Sequence, residues 1–153
     1  MVDITNILKP GHTRVDVGAQ SRKRAIEIAS DLLAEGTRGI DARELFDGLM
    51  SRERLGSTGL GEGIAIPHCR MPCEAPVAAL LRLATPVDFD ALDDQPVDIL
   101  FVLVVPPDET TAHLQTLAAL AKVFQVAENR ALLRQQADAQ GLYATFIEML
   151  GGS

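Results

Sequence analysis

Polar and apolar positions alternate weakly over Arg14-Val15-Asp16-Val17, which predicts an edge strand after an Ile7-Leu8-Lys9-Pro10-Gly11 turn. From Ser21 the period lengthens. Ala25, Ile28, Ala29, Leu32 and Leu33 mark the buried stripe of a helix, with Ser21 as its N-cap and Gly36 or Gly39 as its end. Asp41 with Glu44 forms a capping box, opening a second helix through Phe46, Leu49 and Met50 toward Arg54. Ile64-Ala65-Ile66 is a short strand. Val77–Ala84 and Val97–Val105 are unbroken apolar runs bounded by prolines, the pattern of strands covered on both faces. The acidic piece between them, Asp88 to Pro96, is turn-rich, and Pro106-Pro107 stops the second run. Leu114, Leu117, Ala118, Ala121 and Phe124 predict one helical stripe. Arg130–Gln136 and Leu142–Leu150 predict two shorter helices before a frayed Gly-Gly-Ser end. Strands interleaved with helices, and strands apolar on both sides, point to an α/β fold built as a single-domain sandwich.

Composition narrows the function classes. The 153 residues suit one domain, and 47% apolar with 23% charged positions is ordinary for a globule. A net charge of −7 leaves no electrostatic footprint for nucleic acid or an anionic membrane. Arg22-Lys23-Arg24 is the only basic cluster, and it reads as a solvated face in the first turn of a helix. The chain starts without a basic stretch followed by an apolar run, and Ile99–Val105 is too short to span a bilayer, so no secretory signal or integral membrane segment is expected. Cys69 and Cys73 make no disulfide framework and read as packing or surface residues, which suits a reducing cytoplasm.

Candidate chemistry gathers in one segment, Arg52 to His68. Four glycines (Gly56, Gly59, Gly61, Gly63) and the hydroxyls of Ser57 and Thr58 precede an apolar run ending in Pro67-His68. Neither a dinucleotide fingerprint nor a Walker A loop has this spacing. A zinc site from His68, Cys69, Cys73 and His113 matches no paired-ligand template, and adjacent residues of an extended segment point to opposite faces. No metal or cofactor is therefore expected.

Arg52, His68 and His113 remain as a constellation. Each has a plain structural role open to it: Arg52 as a cation at a helix C-terminus, His68 as a satisfied strand-end imidazole, His113 as an N-terminal helix residue. His12 falls in the expected exposed turn. Together, though, the chemistry fits a phosphoryl group. A neutral imidazole attacks with one nitrogen while an acceptor holds the other N–H. Glycine N–H groups and the Ser57 and Thr58 hydroxyls can form a nest for phosphoryl oxygens, with Arg52 neutralising their charge. His113 on a helix N-terminus is biased toward the neutral form and can donate to the same group.

The run Arg52-Glu-x-x-Gly-Ser-Thr-Gly-x-Gly-x-Gly-Ile-Ala-Ile-Pro-His68 closely resembles the active-site signature of the enzyme IIA domains of the bacterial phosphotransferase system, fructose/mannitol/nitrogen class. The resemblance covers nearly the whole chain, including Gln95–Pro106 and Thr111-Ala-His-Leu114. It implies one EIIA type-2 domain over residues 1–153, with a central mixed sheet flanked by helices on both faces. It also implies phosphorylation of His68 on Nε2, with Arg52 stabilising the phosphoryl group, His113 as the neighbouring histidine, and Gly56, Ser57, Thr58 and Gly59 around the phosphoryl oxygens. The implied donor is a phosphohistidine carrier protein (HPr-like), and no metal takes part.

The Ser21–Glu27 and Asp88–Pro96 stretches look most like the nitrogen regulatory branch, whose two phosphorylation states bind targets such as sensor kinases and potassium-transport proteins. The alternative is a sugar-specific component passing the group to a permease B domain. Two departures stand out. Cys69 replaces a usual Gly, which can restrict the backbone or place an oxidisable thiol beside the site. Glu62 stands where Asn is frequent, and is expected to face solvent because an inward carboxylate would repel a phosphoryl group.

Overall fold

The computed structural model describes residues 4–108 and 110–151, with side chains left out of the description over 110–113. A 3-10 turn at Ile4–Asn6 leads into β1 (Leu8–Val17), then α1 (Arg22–Gly36) and α2 (Ala42–Leu55). Three short strands follow, β2 (Gly59–Gly61), β3 (Ile64–Ala65) and β4 (His68–Arg70), then the long β5 (Val77–Val87) and β6 (Val97–Val105). The chain closes with α3 (Thr110–Gln125), α4 (Ala127–Gln135) and α5 (Ala139–Gly151).

Among the described residues, six strands form one mixed sheet in the order β1-β5-β6-β3-β2, with β4 also on β6. β5 and β6 are antiparallel, whereas β1 on β5 and both β3 and β4 on β6 are parallel. β6 explains its own apolar run. Leu100, Val102 and Val104 face a core with Leu33, Leu45 and Leu49 of α1 and α2. Ile99, Phe101 and Leu103 face a second core with Leu120, Phe124, Leu133 and Phe146 of α3 to α5. Phe146 anchors that second layer between Phe101 and Phe124, at ring-centroid distances of 5.4 and 5.6 Å. The expected mixed sheet with helices on both faces is present.

Caps hold where the sequence put them. The Ser21 hydroxyl accepts from the Arg24 N–H at 3.1 Å, and the Asp41 carboxylate from that of Glu44 at 2.9 Å. Other expectations need correction. The Ile7–Gly11 turn is instead strand: β1 runs through Pro10, with the extra residues taken up by a register shift between Leu8 and Thr13. An edge strand tolerates such a bulge and a proline. In α1 the buried stripe is Ala25, Ile26, Ala29, Ser30 and Leu33, with Ile28 and Leu32 only partly covered. In α3 the buried positions are Thr116, Leu120, Val123 and Phe124, while Leu114 is 61% exposed. That helix is apolar around much of its circumference, so periodicity alone could not choose the face. Nor is Arg22 simply solvated: its guanidinium lies 3.4 Å from the buried Glu53 carboxylate and 3.6 Å from Asp90.

His12 is the largest reversal. It is only 4% exposed, and its ring sits where a Cβ on Gly36 would lie 2.1 Å from Nε2, so that helix end needs glycine. Nδ1 has no hydrogen-bond partner among the described residues, so a proton added there goes uncompensated. Burial, then the Lys9 and Arg14 charges, lower its pKa from the ordinary 6.5, opposed in part by the Ala78 backbone. The unfolded chain therefore binds the proton more readily than the folded one. The resulting stability is present above pH 6.5 and is lost as pH falls below it toward the lowered folded value. Denaturant titrations between pH 7.5 and 5.5 should show the wild-type midpoint falling with acid, and falling less steeply in His12→Asn; equal slopes would remove His12 from the account.

Candidate functional site

The glycine-rich segment folds as a hairpin. β2 and β3 pair antiparallel around a two-residue turn, Glu62-Gly63, with φ of 58° and 83°. Positive φ at both turn residues is the geometry that best matches strand twist, and it suits Asn or Gly better than Glu. Glu62 is held there by its N–H, which donates to the Asp93 carboxylate at 2.8 Å. Its side chain is 72% exposed and reaches toward Arg130 at 3.9 Å, so it faces outward as expected.

After the hairpin the chain lies along one edge of β6 in two pieces. β3 pairs with Ile99 and Leu100, β4 with Leu103 to Val105. Ile66 and Pro67 interrupt the run between them. The Ile66 N–H leaves the sheet for the Thr58 carbonyl at 3.0 Å, while the Pro67 carbonyl accepts from the Leu103 N–H at 2.9 Å. This jog leaves the Ile66 carbonyl 2.7 Å from His68 Nδ1. A carbonyl oxygen can only accept, so Nδ1 carries the proton and Nε2 bears the ring's lone pair. Burial lowers the His68 pKa, the Ile66 bond works against it, and the Arg52 and Arg70 charges lower it further. The ring is thus poised neutral, as nucleophilic attack requires.

His68 and Arg52 share an open cleft of about 610 Å³ with Leu55, Arg70, Leu114 and Leu117. A larger recess, about 970 Å³ between Gly18–Arg24 and Ala84–Asp88, has no imidazole in its walls, and its Ser21 hydroxyl is occupied in capping. The chemistry therefore belongs to the smaller one. Arg52 sits in the last turn of α2 and donates to the Gly56 carbonyl at 2.9 Å, a C-terminal cap at the cleft's wall. Arg70 escaped the sequence reading, although it lies two residues beyond His68 on a strand, a spacing that returns a side chain to the same face. Leu55 and Leu114, 85% and 61% exposed, were likewise missed as apolar members of the rim. His113 lies within α3, but its side chain is outside the described residues.

At the four expected phosphoryl-binding positions, both hydroxyls and the N–H groups of Gly56, Thr58 and Gly59 are engaged by the protein itself. The Gly56 N–H donates to the Glu53 carbonyl, and the Gly59 N–H to the Ser57 hydroxyl at 3.0 Å. That hydroxyl donates to the Phe89 carbonyl, while Thr58 gives both its hydroxyl and its N–H to the Glu53 carboxylate. Cys69 also lines the cleft, with its buried thiol packed toward Gly48 of α2, where a Cβ would lie 3.4 Å from Sγ. Burial, with a smaller contribution from Cys73, pushes its thiol up to about 12. A thiol so seldom ionised is a packing residue rather than an oxidisable group.

A family model described as "Phosphoenolpyruvate-dependent sugar phosphotransferase system, EIIA 2" matches residues 6–149. The nitrogen regulatory protein of Pseudomonas aeruginosa is 44% identical over 153 residues, 99% of each chain. A fructose-specific EIIA component from Haloferax volcanii is 31% identical over 151 residues, 98% of each. The crystal structure of nitrogen regulatory protein IIA-Ntr from Neisseria meningitidis superposes with a TM-score of 0.85 at 36% identity, covering 93% of this chain and 97% of that one. With a hydrogen-bonded, neutral-poised histidine at the end of the glycine hairpin and full-length likeness to these proteins, the chain belongs to the EIIA 2 family of the phosphoenolpyruvate-dependent phosphotransferase system.

Proposed function

We propose that this chain is a cytoplasmic phosphocarrier, one EIIA type-2 domain over residues 1–153. It accepts a phosphoryl group on His68 Nε2 from a phosphohistidine carrier protein, and its phosphorylation state regulates nitrogen-related targets. The observation that carries this reading is the 2.7 Å bond from His68 Nδ1 to the Ile66 carbonyl, which fixes the tautomer whose Nε2 is nucleophilic. In the transfer, the Nε2 lone pair forms a bond to phosphorus as the donor's P–N bond breaks and returns its electrons to the donor ring. Positive charge developing on the His68 ring is met by the Ile66 carbonyl. Arg52 stabilises the phosphoryl oxygens, and His113 is the neighbouring histidine that completes the acceptor site. The two hydroxyls and the N–H groups of Gly56, Thr58 and Gly59 would reach those oxygens only by exchanging their present bonds, so we assign these groups to holding the loop beside the acceptor.

Phosphorylation adds about −1.5 to −2 charges at one surface point. Here that point lies between the cations Arg52 and Arg70 and beside the exposed Leu55 and Leu114. A partner seated on this rim meets a different charge in each state, which supports a switch between targets such as sensor kinases and potassium-transport proteins. Among the described residues no helix is long and apolar enough to cross a membrane. The fructose-specific relative keeps a second reading in view, transfer onward to a permease B domain. The test is to charge the protein with the phosphorylated carrier, then present both forms to candidate sensor kinases and to a B domain. State-dependent capture without onward transfer supports regulation; rapid discharge onto the B domain supports the sugar route.

A further inference from the structure

Glu53 is a buried carboxylate, its side chain 1% exposed, in the last turn of α2 where the helix end is itself partly negative. A charge in such a place needs partners. Thr58 supplies two, a hydroxyl and an N–H at 3.4 Å, and Arg22 of α1 supplies a guanidinium at 3.4 Å. Arg22 also donates to the Phe89 carbonyl, the acceptor of the Ser57 hydroxyl. From there the backbone of Thr58 and then of Ile66 carries the contacts toward the cleft. The Thr58 carbonyl accepts from the Ile66 N–H at 3.0 Å, and the Ile66 carbonyl accepts from His68 Nδ1 at 2.7 Å.

We infer that Glu53 is a positioning residue for the acceptor: it fixes Thr58, the Thr58 carbonyl anchors the backbone of Ile66 through its N–H, and the Ile66 carbonyl on the far side of that residue sets the tautomer and tilt of the His68 ring. The inference rests on reading His68 as the phosphoryl acceptor. Glu53 touches no reacting atom and acts only through this line of bonds. Stability alone does not account for the arrangement, since buried ion pairs hold a fold little better than well-packed apolar groups of the same volume.

Glu53→Gln keeps the volume and one acceptor but removes the charge; Thr58→Val removes the hydroxyl and keeps the N–H. Each variant is compared with wild type below its unfolding transition, by ¹⁵N shifts of the His68 ring and by single-turnover phosphorylation from the carrier protein. Both variants should show a mixture of ring tautomers where wild type has Nδ1–H. The maximal rate should fall roughly 10- to 100-fold, the scale of a small misplacement of a reacting group. The half-saturating donor concentration should stay unchanged. The double variant should be no slower than the slower single, because both cut one line. If either folded variant keeps the wild-type tautomer and rate, the network is structural and the inference is wrong. Should Glu53→Gln not fold, Thr58→Val decides the matter by the same readouts. Failure of wild type to take phosphate on His68 would instead overturn the function reading, leaving the tautomer measurement to judge Glu53.

Discussion

His68→Ala should take up no acid-labile phosphate from the phosphorylated carrier, while His113→Ala should still do so. This all-or-none result follows from the surroundings of His68. Phosphorylation needs a nucleophile in the cleft, and Cys69 and His12 are poor substitutes. The Cys69 thiol is pushed up to about 12 and packs toward α2. His12 is buried on β1 under the end of α1. Because His68 is only half-buried at the start of a short strand, its truncation should leave the circular dichroism spectrum and the unfolding midpoint close to wild type. The measurement is incorporation of labelled phosphate with and without acid treatment. Persistence of acid-labile label in His68→Ala would remove the acceptor from the scheme.

Arg52→Ala should be phosphorylated about 100-fold more slowly, the loss expected when one donor to developing charge is removed. Its effect on stability should be small. The guanidinium caps α2 through a single exposed bond to Gly56, and a C-terminal cation is worth roughly 0.3–1 kcal/mol. A second readout separates electrostatics from shape. Arg52 is one of the charges lowering the His68 pKa, so the ring's titration midpoint should rise in Arg52→Ala. Arg52→Lys keeps the charge and loses the planar fork, and should recover the titration more fully than the rate. If Arg52→Ala merely unfolds, the residue is structural and its assigned role fails.

The parts of the fold that a local pattern dictates were legible in the sequence. Ser21 and Asp41 cap their helices through bonds three residues away, and β6 is apolar from Ile99 onward because each face meets a helical layer. What stayed hidden depends on distant partners. Pro10 and Gly11 look like a turn, but the pairing of Leu8 and Thr13 with β5 on either side carries them as a bulge within β1. Leu114 looks like core until Leu120 and Phe124 take the inward face of its helix. Arg22 reads as a solvated charge, and Glu53, 31 positions on, shows no role in the sequence; only the packing of α1 beside α2 brings them together as a pair. At the site, the motif located Arg52 and His68, while the roles of Ile66 and Glu53 appear only once the backbone jog is known.

The broken edge strand beside β6 has a consequence for how such a protein can change over time. The His68 ring is tied to the central strand through the Pro67 carbonyl and the β4 pairing, so its position follows that of β6. The leucines that a visitor would touch stand on helix ends, outside that frame. Chemistry and recognition are thus inherited on separate pieces of backbone. Leu55 or Leu114 can be exchanged for another residue, altering which visitor is admitted, without retuning the imidazole that waits behind them.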